Sequence, residues 1–343
     1  MSCESLNQPS FEKTLSKGNN NEGNNNDREI PPSKYQRIKE DLDQQRKSLQ
    51  PIIEEASRKR DQLLNGRGNF LMTKEDFIKY FFPKGCKIGA DLKQQNICDC
   101  YVVAAIYAMS LSPHFEMICR SSMKRMSDGS WQVRIPLLSE NGQMITITKE
   151  EISPQWNKKF LRRGNNNSKP DLRLRLKPLK GKEGLRVLEA AFIKAKFGIL
   201  DRLAAEGGSG DEVLLRLGGK IFKEYYLSSV NYNYKKERLG LNSLPEEGLA
   251  YLDHYLENFD PEVDMATAST RKKVTLKFLA PYHVYSISNV DREKGVVTLA
   301  NPWNTSKPIK LTFDQFKENF FCLGAIRIDS LKLLQSMNKI EKS

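Results

Sequence analysis

Between Asp99 and Leu111 the chain reads Asp-Cys-Tyr-Val-Val-Ala-Ala-Ile-Tyr-Ala-Met-Ser-Leu, apolar at almost every position. No glycine or proline interrupts it, so it reads as helix, and a helix without a polar face must be buried all round. Its apolar run, Tyr101–Met109, is far short of the ~20 residues that cross a bilayer. The surroundings of this helix must therefore be protein. A chain of 343 residues with 39% apolar content, 16 Phe and 12 Tyr can supply them. That length predicts one large domain or two smaller ones.

The rest of the pattern surrounds that helix with mixed structure. Residues 1–31 carry an asparagine-glycine tract and read as a flexible polar tail. Residues 32–69 read as a helical extension, with Tyr35, Ile38 and Leu42 at helical spacing and a second helix opening at Pro51. Gln45 and Lys59 fall on the seam, which favours docking onto the main domain over a coiled coil. Ser130–Pro136 and Gln143–Thr148 alternate like strands. Leu185, Leu188, Phe192 and Ala195 stripe a helix that begins near Gly184. Glu206–Asp211 reads as a hinge, and beyond it lie helical segments and the strands His283–Ser288 and Gly295–Ala300. A helical block followed by a strand-rich block predicts an α+β fold of two subdomains, 70–207 and 208–329, with a tail at 330–343.

Charge and cysteine usage narrow the classes. Lys and Arg outnumber Asp and Glu by 55 to 42, and Lys158–Lys182 concentrates ten cations with one acid. That block reads as a solvated loop or as a surface for an acidic partner. It lacks interleaved aromatics or a nucleic-acid motif, which argues against nucleic acid. Six cysteines are too few for a disulfide scaffold, and Met1–Leu15 has no apolar core of a signal peptide. Reduced thiols and a cytoplasmic location are expected, with no membrane span; export without a cleaved signal stays open. With only His114, His283 and His254 present, a histidine-rich metal centre is excluded.

Cys100 opens the buried helix, where the macrodipole and unpaired amide groups favour thiolate, and Asp99 is a plausible cap. A small buried hydrophobe is the plainer alternative. Cys98 adds a Cys-x-Cys pair, but no second pair stands nearby to complete a zinc site. A nucleophilic thiol needs a base and a group that orients the base. A hairpin centred on Arg292 pairs residue i with residue 584 − i, which sets His283 opposite Asn301 on one face. An Asn so positioned accepts the imidazole N–H and fixes the tautomer. The plainer alternative is a structural His and a turn Asn before Pro302.

These residues carry a resemblance. Gln94-Gln95-Asn96-Ile97-Cys98-Asp99-Cys100-Tyr101 resembles the Gln-Gly-x-x-Gly-Asp-Cys-Trp segment of calpain-type, papain-like cysteine proteases. Tyr282-His283-Val284-Tyr285-Ser286 is similar to their Gly-His-Ala-Tyr-Ser, and Asn301-Pro302-Trp303 to their Asn-Pro-Trp. Leu188–Phe192 and the stretch from Gly207 to Gly219 agree in the same order, so the resemblance spans roughly residues 80–329. It implies a papain-like fold, with a helical subdomain carrying the Cys and a strand-rich one carrying His and Asn. It implies a cysteine endopeptidase acting on protein substrates: Cys100 as nucleophile, His283 as base and acid, Asn301 as orienter, Gln94 as oxyanion donor. Three family glycines and one Trp are replaced, by Gln95, Cys98, Tyr282 and Tyr101.

Two other readings compete. One is a catalytically idle calpain-like interaction protein that uses the basic loop; the other is a papain-like acyl transferase. No cofactor is expected to be required. Relatives bind calcium in the core, and one weak site resembles Asp91, with Glu183 as a second ligand. No EF-hand loop exists, and the connector after Trp303 has no acid before Asp314.

Overall fold

The computed structural model describes residues 32–82, 92–95, 99–139, 141–153, 158–160, 174–176, 178–200, 207–219, 222–227 and 246–342. The expected N-terminal tail, Asp91, Cys98 and most of the basic 158–182 block lie outside these residues. Helix α1, Pro32–Gln62, runs on through Pro51, where the sequence suggests a fresh start. Pro51 and Lys47, whose carbonyl loses its helical donor, are both exposed, so water can take that carbonyl. A short α2, Lys74–Phe81, follows, capped by Thr73 through a 3.1 Å bond from the Asp76 amide.

Helix α3, Cys100–Leu111, is the central element, and Tyr101–Ile106 and Ala108–Ser110 are all buried. After α4, Phe115–Ser122, come the short strands β1 (Met123–Arg125), β2 (Trp131–Ile135) and β3 (Gln143–Ile147). They form a three-stranded antiparallel sheet, and β4 (Lys158–Phe160) pairs with β5 (Leu174–Leu176) as a separate ribbon. Helices α5, Glu183–Phe197, and α6, Gly210–Gly218, pack against α3. The sequence assigns α6 to the strand-rich half, yet Val213, Leu214 and Leu217 share the core of α3. Gly208 and Gly210 are close-contact positions rather than a loose hinge. A Cβ at Gly208 would lie 2.5 Å from the Tyr101 ring.

The second half builds a six-stranded sheet from β6 (Phe222–Leu227), β7 (Asp264–Thr270), β8 (Val284–Asp291), β9 (Val296–Asn301), β10 (Asn304–Thr312) and β11 (Phe320–Ile328). Their order is β10-β9-β8-β7-β11-β6, antiparallel throughout. One face, through Met265, Val284 and Ile326, joins the core around α3. The opposite face, through Ala266, Ala268, Tyr285 and Leu299, forms a second core. That core also takes in helix α7 (Glu246–Asn258) and helix α8 (Phe313–Asn319). The architecture is α+β. Strands β7 and β11 escape the sequence reading because both their faces are buried, which erases the alternation of a one-sided strand.

Residues 330–342 are not a tail. They form helix α9, Ser330–Lys342, which buries Leu333 and Met337 and packs against α1. Arg46 donates to the Asn258 carbonyl at 2.9 Å, and Arg60 pairs with Glu262 at 2.9 Å, so α1 is fastened to the end of α7 and to the segment after it. Among the described residues no single helix is long and apolar enough to cross a membrane.

Candidate active site

The sheet and α3 meet where the sequence motifs converge. Ser286 Oγ on β8 donates to the Ala104 carbonyl of α3 at 2.6 Å, one helical turn beyond Cys100. Cys100 is partly exposed and packs against the core that surrounds α3. The Asp99 side chain does not cap the helix as expected. Its carbonyl instead accepts from the Val102 amide at 2.9 Å, leaving the first amides of α3 without that side-chain acceptor.

The hairpin register differs from the symmetric one. Ser286 faces Ala300 and Ile287 faces Leu299, so i pairs with 586 − i near the site. A bulge at Ser288 shifts the sum to 587 towards the turn. A slip of two residues keeps every side chain on its face, because strand periodicity is two. His283 and Asn301 therefore become diagonal rather than direct neighbours and still meet: His283 Nε2 lies 3.0 Å from Asn301 Oδ1.

That oxygen fixes the proton. The Trp303 amide, which can only donate, also points at Asn301 Oδ1, at 2.9 Å. The atom facing both groups must be the oxygen, so imidazole Nε2 carries hydrogen and Nδ1 is left as the acceptor. The Trp303 ring lies over the imidazole with centroids 4.3 Å apart, and Tyr285 meets its edge at 4.9 Å. Burial pushes the His283 pKa down to about 4, with the Asn301 hydrogen bond opposing. The imidazole is therefore neutral near pH 7, so it adds no positive charge to the helix N-terminus that favours the Cys100 thiolate.

Two threonines that the motifs do not flag hold these parts. The Thr270 hydroxyl accepts from the His283 amide at 2.9 Å, and the Thr270 amide donates back to the His283 carbonyl at 3.0 Å. Thr305 Oγ1 donates to the Leu92 carbonyl at 2.7 Å, and the Gln94 amide donates to the Pro302 carbonyl at 2.8 Å. Lys93 pairs with Lys180 on its other side. The strap bearing Gln94 is thus stitched to both halves. Nothing in the local sequence of Thr270 or Thr305 distinguishes them from ordinary strand residues.

The replaced family residues resolve differently. Tyr101 is wholly buried against Gly208 and Phe192, pointing into the core rather than a cleft. Burial pushes its hydroxyl pKa far up. Tyr282 keeps a glycine-like backbone, φ +49°, while remaining 53% exposed, a conformation that a bulky side chain rarely adopts. Glu183, the second calcium candidate, accepts from Trp131 Nε1 at 2.8 Å and from Arg125 Nε at 3.1 Å. Among the described residues no three His, Cys, Asp or Glu side chains cluster as a metal site. In comparisons with known proteins, no family model and no curated protein matches the chain significantly.

Proposed function

We propose that this chain is a calpain-like cysteine endopeptidase of papain-like fold. The observation that carries the reading is the shared Asn301 oxygen, which holds His283 with Nε2 protonated and Nδ1 free to act as base. His283 Nδ1 takes the proton of the Cys100 thiol as Sγ attacks the scissile carbonyl carbon. The Cys100 amide and the Gln94 side chain hold the developing oxyanion. The imidazolium then protonates the leaving amine as the C–N bond breaks, giving a thioester. Water, deprotonated by the same nitrogen, adds to the thioester, and collapse releases the carboxylic acid and regenerates the thiol. A neutral resting imidazole suits this sequence, because the base is unprotonated before attack.

The test is a thiol-reactive peptidyl probe. Labelling is expected at Cys100 in preference to Cys119, which is fully buried and whose thiol pKa burial raises well above the usual value. Labelling should coincide with hydrolysis of unstructured protein. Labelling with transfer to an added amine in place of hydrolysis would assign the acyl-transferase alternative, and an unreactive Cys100 the idle interaction protein.

A further inference from the structure

Four arginines among the described residues are buried to nine-tenths or more: Arg60, Arg120, Arg271 and Arg327. Three are neutralised. Arg327 makes a two-pronged pair with Asp264 at 2.7 and 2.8 Å, Arg120 bonds Glu116 at 3.0 Å, and Arg60 bonds Glu262 at 2.9 Å. Arg271, 8% exposed, has no side-chain partner among the described residues, and its Nε and Nη1 are enclosed without an acceptor. An enclosed guanidinium with unused donors is costly, and it becomes favourable once a carboxylate meets it.

Its position says which carboxylate. The backbone ladder continues past the end of β7: the Arg271 amide donates to the Asn319 carbonyl, and the Tyr282 amide donates to the Arg271 carbonyl. Along β7, Met265 faces the core of α3 and Thr267 abuts Gly210 of α6, whereas Ala266 and Ala268 face the other core. Alternation therefore puts Arg271 on the α3 face. It stands in a row with Ser269, beside Val284 and Tyr282 of the neighbouring strand. Cys100 opens α3 on this same face, one turn before Ala104, whose carbonyl Ser286 of β8 bonds, and it packs against the core to which Met265 and Val284 belong. Residues 271–283 add Lys272, Lys273 and Lys277 and contain no acid, with Phe278 and Tyr282 more than half exposed. We infer that Arg271 binds an acidic side chain of the polypeptide substrate on the Cys100 side of the active site, across the sheet from the face on which His283 meets Tyr285, within this basic, aromatic rim. This rests on the protease reading.

The experiment uses the full-length chain and internally quenched decapeptides. One Glu is walked through the sequence, and each peptide is matched with a Gln counterpart and with free and amidated C-termini. Glu→Gln at one position is expected to lower kcat/KM by about 10- to 100-fold, the worth of a charge-assisted pair. Arg271→Gln should erase that ratio while still cutting the Gln peptide, and Arg271→Lys should keep part of it, having charge without the fork. A merely structural arginine would not move the Glu/Gln ratio. Equal cleavage of Glu and Gln peptides by the wild type, an unchanged ratio in Arg271→Gln, or dependence on the terminal carboxylate instead, would each overturn the inference alone. No cleavage of any peptide, with Cys100 unlabelled, would overturn the protease reading beneath it.

Discussion

His114 and His283 sit in opposite halves of the molecule and are almost equally enclosed, 1% and 4% exposed. Burial drives both pKa values down, to about 3 and about 4, with Arg60 adding to the effect at His114. They differ in what holds the ring. His114 lies in the corner between α3 and α4, and its Nδ1 has no hydrogen-bond partner among the described residues. His283 has Nε2 assigned by Asn301, its backbone gripped by Thr270, and Trp303 across its face. A displaced pKa therefore marks burial in both regions. An oriented ring with one committed nitrogen is found in only one, the ring that the proposed mechanism uses.

Activity should separate the two most widely. His283→Ala is expected to reduce peptide hydrolysis by about 10²–10⁴-fold, the usual worth of a general base. Cys100→Ala should do the same, whereas His114→Phe, which keeps an aromatic in that corner, should leave turnover close to wild type. Equal losses at His114 and His283 in folded protein would break the comparison.

Acid stability should join what activity separates. An unfolded histidine titrates near 6.5, so below that pH the unfolded chain binds protons that the folded chain refuses. Stability is unaffected by either residue above pH 6.5 and falls as the pH drops. The loss is complete below about 4 for His283 and below about 3 for His114. For His283 it amounts to about 3 kcal/mol. Urea midpoints at pH 7, 5.5 and 4.5 measure it, and His114→Phe should flatten the dependence. A midpoint unchanged between pH 7 and 4.5 would contradict buried neutral rings in both regions.

The smallest effect expected is that of calcium. The Glu183 carboxylate is occupied by Arg125 and Trp131, and the chain turns back within the Asn301↔Asn304 pair directly after Trp303. The strap at Leu92–Gln94 is bonded to Thr305 and Pro302 by the protein itself. Hydrolysis in EGTA and in millimolar calcium should therefore agree closely. A strict calcium requirement that disappears in Asp91→Ala would show that closure depends on a site at Asp91.

The sequence by itself determined the elements whose pattern is local. The all-apolar run allows α3 only one environment, the stripe at Leu185, Leu188 and Phe192 yields α5, and alternation yields β2, β3 and the β8–β9 hairpin. It also placed His283 and Asn301 on one face, because that conclusion survives any even slip of register. What it could not determine depends on contacts distant in the chain. Pro51 stays inside α1 because the Lys47 carbonyl it deprives of a donor lies on an exposed stretch of the helix, and 330–342 becomes helix because α1 offers it an apolar face. Strands β7 and β11 are hidden by burial on both sides. The assignment of the imidazole proton needs the Trp303 amide and the Asn301 oxygen together. Arg271 reads as one more cation in a basic loop until the fold encloses it. Only tertiary structure removes water from a charge, and only then does the missing partner become visible.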